Sequence, residues 1–194
     1  VAIGFEFGVH PPEYYSVKLY GSPHSYWNGS SSMIPNPASP EAMEILYATI
    51  DNLIESYPDL DWIWLWLNEH TMFGVNGAEA VKEKKFSIIF DKNKKYFTEC
   101  SLDGQFLGVW SLEYITLAYN YIKNKRPDIK VGISGWGGGD QLPPILNGLD
   151  KALPIDILFS CLNPGQGQGF HMPVMAEIAK SRKVLSIPWL EGDE

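Results

Sequence analysis

Short apolar runs alternate along the chain with longer segments in which apolar residues recur every three or four positions. The short runs predict five strands, at VAIGFEF (1–7), DWIWLWL (61–67), IKVGISGW (129–136), IDILFSCL (155–162) and KVLSIPWL (183–190). Such nearly continuous apolar runs are typical of parallel strands that are covered on both faces.

The periodic segments between the runs predict four helices. In the first, Ser39 is a plausible N-cap and Pro40 suits the first helical position. The apolar residues that follow Pro40 recur at helical spacing and form one face, and Pro58 marks the end of the helix. The other three helices are predicted over residues 108–125, 141–153 and 172–182, and residues 71–105 receive no assignment.

Strands that alternate with helices indicate a parallel α/β fold, for which two architectures compete. A doubly wound sheet carries a GxGxxG turn after an early strand. The glycine-rich GWGGGDQ (135–141) lacks that spacing and follows the third predicted strand. We therefore predict a (β/α)8 barrel type, as one segment over residues 1–194. Because a full barrel typically takes about 250 residues, we expect this one to be incomplete or a fragment.

Composition and charge narrow the classes of partner. The net charge of −8 argues against a nucleic-acid partner, and the lysines in residues 82–85 are interpreted as a solvated face. No apolar run reaches the 18 or so residues of a membrane span. The chain starts at Val1 rather than Met, so we expect a processed or excised piece.

Polar and aromatic residues stand at or just beyond the end of every predicted strand. Because parallel strands bring their carboxyl ends to one edge, we expect these residues to share a rim. Two glutamates at one rim suggest glycoside hydrolysis, in which one carboxyl protonates the leaving oxygen and the other attacks or activates water. Tryptophan rings there suit the faces of sugars. The candidates are Glu69 and Glu191 for catalysis, and Asn68, His70, Trp136, Trp189, Glu6 and Asn163 for substrate binding.

The sequence WLWLNE, with a second glutamate three strands further on, resembles the clan A glycoside hydrolases. The resemblance implies a barrel glycosidase that acts on a polysaccharide or oligosaccharide with retention of configuration and without a cofactor. It implies that Glu69, after Asn68, is the acid/base and Glu191 the nucleophile. It also implies that the chain corresponds to barrel strands 3 to 7. A secreted or periplasmic location is favoured if the chain is a processed glycosidase.

Several alternatives stay open at this point. Asp193 or Glu194 could replace Glu191 as the second carboxylate, and Glu6 could have a structural role inside its strand. A non-catalytic carbohydrate-binding barrel and a metal-dependent hydrolase are the competing functions. The four histidines form no paired metal-binding motif, so no metal site is expected.

Overall fold

The structure is a computed structural model that describes residues 1–6, 26–28, 33–67, 75–135, 143–161 and 173–186. The strands in this part of the chain are β1 (Ala2–Glu6), β2 (Tyr26–Asn28), β3 (Met33–Pro35), β4 (Trp62–Trp66), β5 (Lys130–Ser134), β6 (Leu158–Cys161) and β7 (Val184–Ser186). The helices are α1 (Pro40–Ser56), α2 (Gly77–Ala80), α3 (Lys84–Asn93), α4 (Leu102–Lys125), α5 (Pro143–Ala152) and α6 (Pro173–Ile178), and a 3-10 turn occupies Lys94–Tyr96.

Five strands form one parallel sheet in the order β1-β4-β5-β6-β7, and β2 and β3 form a separate antiparallel pair. The order of the large sheet follows the chain without a reversal. A doubly wound sheet reverses its order at a switch point, so its strand order differs from the one observed. The parallel α/β class predicted from the sequence is confirmed. Closure of the sheet into a barrel is not seen in the described residues, where β1 and β7 stand at the edges.

The two faces of β4 differ in burial. Ile63 and Leu65 of β4 are fully buried and pair with Val131 and Ile133 of β5, which are also buried. These side chains belong to one core with the inner residues of α1, α4 and α5. The alternate residues of β4 are only half-buried. The expectation that both faces are covered is therefore not met for β4, whereas residues 131–134 of β5 and 158–160 of β6 are buried on both faces.

Helix α1 shows how local sequence sets an element. Pro40 starts it as predicted, because the first helical position needs no backbone N–H donor. Ser39 occupies the N-cap, but its hydroxyl donates to Glu41 (2.6 Å) rather than accepting from the helix. The inner face of the helix buries Met43, Leu46 and Ile50, as the spacing predicts.

Helix α4 begins six residues before the predicted start at Gly108, and the segment left unassigned contains two further helices. Ser101 is the N-cap of α4, and its Oγ accepts a hydrogen bond from the Gly104 N–H at 3.2 Å. The β2–β3 pair is also absent from the sequence prediction. It is held to the helices by Trp27, whose ring meets Phe86 and Phe106 edge-on at 5.1 and 5.3 Å.

Candidate functional site

The carboxyl ends of the first three strands of the sheet lie at one level. Glu6, the last residue of β1, is in register with Trp66 of β4, and Trp66 is in register with Ser134 of β5. Beyond Trp66, the Leu67 N–H donates to the Ser134 carbonyl at 2.6 Å, which continues the pairing for one residue. The strand ends therefore present the segments that follow them along a common edge.

A buried hydroxyl pair links the next two strand ends. The Ser160 hydroxyl of β6 donates to Ser134 Oγ of β5 at 2.7 Å, and both side chains are fully buried. Two buried hydroxyls that bond to each other avoid the cost of an unsatisfied polar group. Both serines lie near the carboxyl ends of their strands, so the hydroxyl pair ties these two strand ends together.

A row of three tryptophans runs along β4 on the face opposite the helical core. Trp62, Trp64 and Trp66 are half-buried, and the rings of Trp62 and Trp64 stack 5.8 Å apart at 15°. Glycine in the neighbouring strand makes room for the row, because a Cβ at Gly132 would lie 2.5 Å from the Trp64 ring. The strict alternation of tryptophan with isoleucine and leucine in WIWLW predicts that the two faces of this strand differ. This alternation was not used in the prediction of a strand covered on both faces.

Glu6 is the last residue of β1, and its backbone is in register with that of Trp66. The other predicted site residues lie outside the described residues. They are Asn68, Glu69, His70, Trp136, Asn163, Trp189 and Glu191, together with the alternatives Asp193 and Glu194.

Shifted pKa values among the described residues include two on helix α4. Burial raises the pKa of the Glu113 carboxyl, and Lys92 opposes this with a smaller lowering. Burial, with the hydrogen bond to Asp156 and the charge of that carboxylate, raises the pKa of Tyr119 to about 12. Both groups belong to a helix rather than to the strand ends, so they are not candidates for the chemistry at the rim.

The described residues also bear on metal binding and on membrane insertion. Within the described ranges, no group of three or more His, Cys, Asp or Glu side chains is placed to hold a metal ion. No helix there is long and apolar enough to cross a membrane.

A groove of about 700 Å³ opens at the other end of the sheet, where β5, β6 and β7 begin. Trp62, Lys130 and Leu185 line it, and the Lys130 ammonium lies 5.2 Å from the Trp62 ring centre. In parallel α/β folds, ligands bind at the carboxyl ends of the strands. The groove is at the amino ends and is therefore not part of the candidate site.

Comparison with known proteins gives likeness of structure only. No family model matches the chain, and no curated protein does. One similar solved structure is a β-galactosidase from Bacillus circulans sp. alkalophilus, with 17% identity and a TM-score of 0.46 over 84% of this chain and 30% of that one. Another is a GH36 α-galactosidase from Geobacillus stearothermophilus in complex with raffinose, with 12% identity and a TM-score of 0.46 over 100% of this chain and 28% of that one. Both are glycoside hydrolases, and the chain spans less than a third of either.

Proposed function

We propose that the chain is the catalytic segment of a barrel-type glycoside hydrolase that uses two carboxylates. The observation that carries the proposal is the sheet order, since five parallel strands in chain order bring their carboxyl ends to one edge. Asn68 and Glu69 follow β4 within three residues, and Glu191 follows β7 by five residues. The Asn-Glu pair at such a position is the feature shared with the clan A glycoside hydrolases.

The spacing of the strands requires the sheet to be curved if the proposed mechanism is to operate. Strand β7 is three strands away from β4, and neighbouring strands lie about 4.8 Å apart. On a flat sheet the two strand ends would be about 14 Å apart, whereas a retaining pair of carboxyls needs about 5–5.5 Å. The mechanism therefore requires a sheet that curves towards a barrel, so that the two ends face each other across the opening.

In this mechanism, Glu69 protonates the glycosidic oxygen while Glu191 attacks the anomeric carbon and forms a glycosyl-enzyme intermediate. Glu69 then takes a proton from the water that hydrolyses the intermediate. Asn68 donates a hydrogen bond to a sugar hydroxyl, and Trp136 and Trp189 stack on sugar rings. A separation of about 6.5–9.5 Å between the two carboxyls would instead indicate inversion.

The test compares Glu69→Gln and Glu191→Gln on a panel of aryl glycosides and natural oligosaccharides. We expect Glu69→Gln to lose most activity on oligosaccharides, because their leaving groups need protonation, and to cleave a dinitrophenyl glycoside with less loss in its first step. Glu191→Gln should stop turnover of both substrates. Glu55→Gln is the matched control, because Glu55 is an exposed residue of α1.

Full activity in either active-site variant removes that residue from the mechanism. If Asp193→Asn or Glu194→Gln abolishes turnover while Glu191→Gln does not, the reaction class stands and the nucleophile is reassigned. If the wild-type chain cleaves nothing on the panel, hydrolysis itself is rejected for this segment.

A non-catalytic carbohydrate-binding protein is the second candidate, and the half-buried tryptophan row of β4, which keeps some exposed ring area, favours it. Indole faces that stay open can stack on sugars without any chemistry. Under this alternative, oligosaccharides quench tryptophan fluorescence in the wild type, Trp64→Ala weakens the quenching, and no product appears.

A further inference from the structure

Helix α3 and the turn after it concentrate positive charge on an otherwise acidic protein. Residues 82–95 contain six of the fifteen cationic residues of the chain and two acids, which gives this segment a net charge of +4 within a chain of −8. All six lysines are exposed. By contrast, residues 33–67 contain six acids and no lysine or arginine.

The lysines of α3 share one side of the helix with an exposed apolar residue. Phe86 and Phe90 turn inwards and are buried, whereas Ile88 is 71% exposed on the outer side. Lys84 and Lys92 stand four residues before and after Ile88, so at helical spacing they flank it on the outer side. Lys85, three residues before Ile88, completes what we call the lysine face, formed by Lys84, Lys85, Ile88 and Lys92.

Two acids, Glu41 and Glu113, lie near the lysine face but beyond ion-pair distance. The hydrogen bond from Ser39, with a smaller contribution from the charge of Lys85, lowers the pKa of Glu41. Burial raises the pKa of Glu113, and the charge of Lys92 opposes this.

Lys82 pairs with Glu79 and Lys94 pairs with Asp91, each at 2.7 Å. Among the described residues, the three lysines of the face form no ion pair. Such lysines can simply be hydrated by solvent. Three cations without ion pairs around an exposed isoleucine, however, also form a surface complementary to an anionic chain whose charges are widely spaced.

We propose that the lysine face binds an anionic polysaccharide that carries carboxylate groups. Lys84 and Lys92 are eight residues apart on the helix, or about 12 Å at 1.5 Å per residue, which suits an extended chain with spaced charges. Ile88 offers an apolar contact for the C–H face of a sugar ring between them. The choice of a glycan rests on the proposed glycosidase function.

Position along the chain supports the same partner. Helix α3 belongs to the connection that leaves the carboxyl end of β4, and this connection begins with Asn68 and Glu69. A polysaccharide held on α3 would be held by the same connection that supplies the proposed acid/base. If the chain is the proposed glycosidase, the lysine face favours an acidic substrate class for it.

Two other polyanions are less suited to this surface. A helix that lies on a membrane turns a broad apolar face towards the lipid, whereas the apolar face of α3 is buried in the core. Duplex DNA carries one charge per about 1.7 Å, and its binding proteins need a broad basic surface, which a chain of net charge −8 does not provide.

The test is affinity electrophoresis of the whole chain in native gels that contain polygalacturonate, with neutral dextran as the reference polymer. We expect polygalacturonate to retard the protein, dextran to leave its mobility unchanged, and salt to weaken the retardation. The triple variant Lys84→Gln, Lys85→Gln and Lys92→Gln should bind about tenfold more weakly, because three exposed ion pairs act together. Glutamine keeps the helix propensity of lysine, so α3 should remain folded.

The matched control is the triple variant Lys151→Gln, Lys180→Gln and Lys183→Gln, which removes the same charge from other exposed positions. It should bind polygalacturonate as the wild type does. The proposal is overturned if both triple variants lose affinity for polygalacturonate equally, or if polygalacturonate does not retard the wild type. Equal or tighter binding to phosphatidylserine vesicles or duplex DNA also overturns it. Hydrolysis is not needed for retardation, so a chain that binds but cleaves nothing refutes the proposed function and leaves the lysine face intact.

Discussion

The Arg182 side chain donates five hydrogen bonds, and its replacement tests how the sheet is held to its helices. Its Nε donates to Asp150 Oδ1 at 2.6 Å. Its Nη1 donates to the carbonyls of Pro154 and Ile157, and its Nη2 to those of Asp150 and Leu153, at 2.6–3.3 Å. All five guanidinium N–H groups are used, and the side chain has no exposed area.

These bonds place Arg182 at the carboxyl end of α5, where helix carbonyls lack partners and a cation is favoured. The guanidinium also lies 4.3 Å from the centre of the Phe159 ring in β6. One side chain therefore joins the end of α5, the start of β6 and the segment that leads into β7. Lysine offers three donors from one point and cannot reproduce this planar arrangement.

We expect Arg182→Met to lower the free energy of unfolding by about 3 kcal/mol, towards the lower end of the range for breaking a buried pair. The lower end applies because the Asp150 side chain is 20% exposed and water can hydrate it after the change. For a chain of this size, about 3 kcal/mol corresponds to a fall in Tm of about 6–12 °C. Arg182→Lys should recover only part of the loss.

Urea unfolding followed by tryptophan fluorescence measures the effect, with Lys180→Met as the control. Lys180 pairs with Glu177 at 2.6 Å, but both side chains are about 70% exposed, so its loss should stay within about 0.5 kcal/mol. Added salt should reduce the small loss in free energy of unfolding caused by Lys180→Met. It should leave the loss caused by Arg182→Met nearly unchanged, because buried pairs are screened less. A loss at Arg182 no greater than that at Lys180 would refute the reasoning.

Three further predictions concern the helices. The pKa of Tyr119 is raised in the folded protein, so folding favours the protonated hydroxyl. This contribution to stability is complete below about pH 10 and is lost as pH rises through about 12. The wild type minus Tyr119→Phe absorbance difference should show this titration, and Asp156→Asn should move it to lower pH; a midpoint near 10 in the wild type would contradict it. Ser101→Ala removes the N-cap of α4 and should cost about 1 kcal/mol in urea unfolding, and no change would rule out the cap. Gly148→Ala should destabilise by about 1–3 kcal/mol in spite of better helix propensity, because the new Cβ would meet the Phe97 ring and lie 2.7 Å from the Tyr96 carbonyl; a gain in stability would contradict the packing.

The strands and the long helices could be predicted from the sequence because apolar periodicity dominates them. DWIWLWL predicts β4 within one residue at either end, and Pro40 fixes the start of α1. The start of α4 was placed too late because the apolar pattern begins after Gly104, while the cap at Ser101 is a signal of one residue. The β2–β3 pair is three residues per strand, too short for a period to show.

The candidate site could be predicted only as a set of residues that follow strand ends. The register of β1, β4 and β5 confirms that their ends share an edge, and Glu6 lies on it. Glu69 and Glu191 remain predictions, because their separation depends on the curvature of the sheet and on segments outside the described residues. The lysines of residues 82–85 were interpreted from the sequence as a solvated face, and the arrangement of Lys84, Lys85 and Lys92 around Ile88 appears only once the helix is placed.

The uneven burial of the sheet bears directly on curvature. Connections between parallel strands are almost always right-handed, so strands that follow one another in chain order place all their helices on one face. The order β1-β4-β5-β6-β7 has this property, and the buried row through Ile63 and Val131 is the face that packs on the helices. On the other face the β4 tryptophans are only half-buried and Leu185 is 44% exposed, although Ser134 and Ser160 on that face are buried. In a barrel this second face is the interior, which neighbouring strands cover and side chains fill. The curvature that would cover the tryptophans would also bring the ends of β4 and β7 towards each other. The proposed barrel and the proposed carboxylate pair therefore depend on the same curvature, and a flat sheet would exclude both.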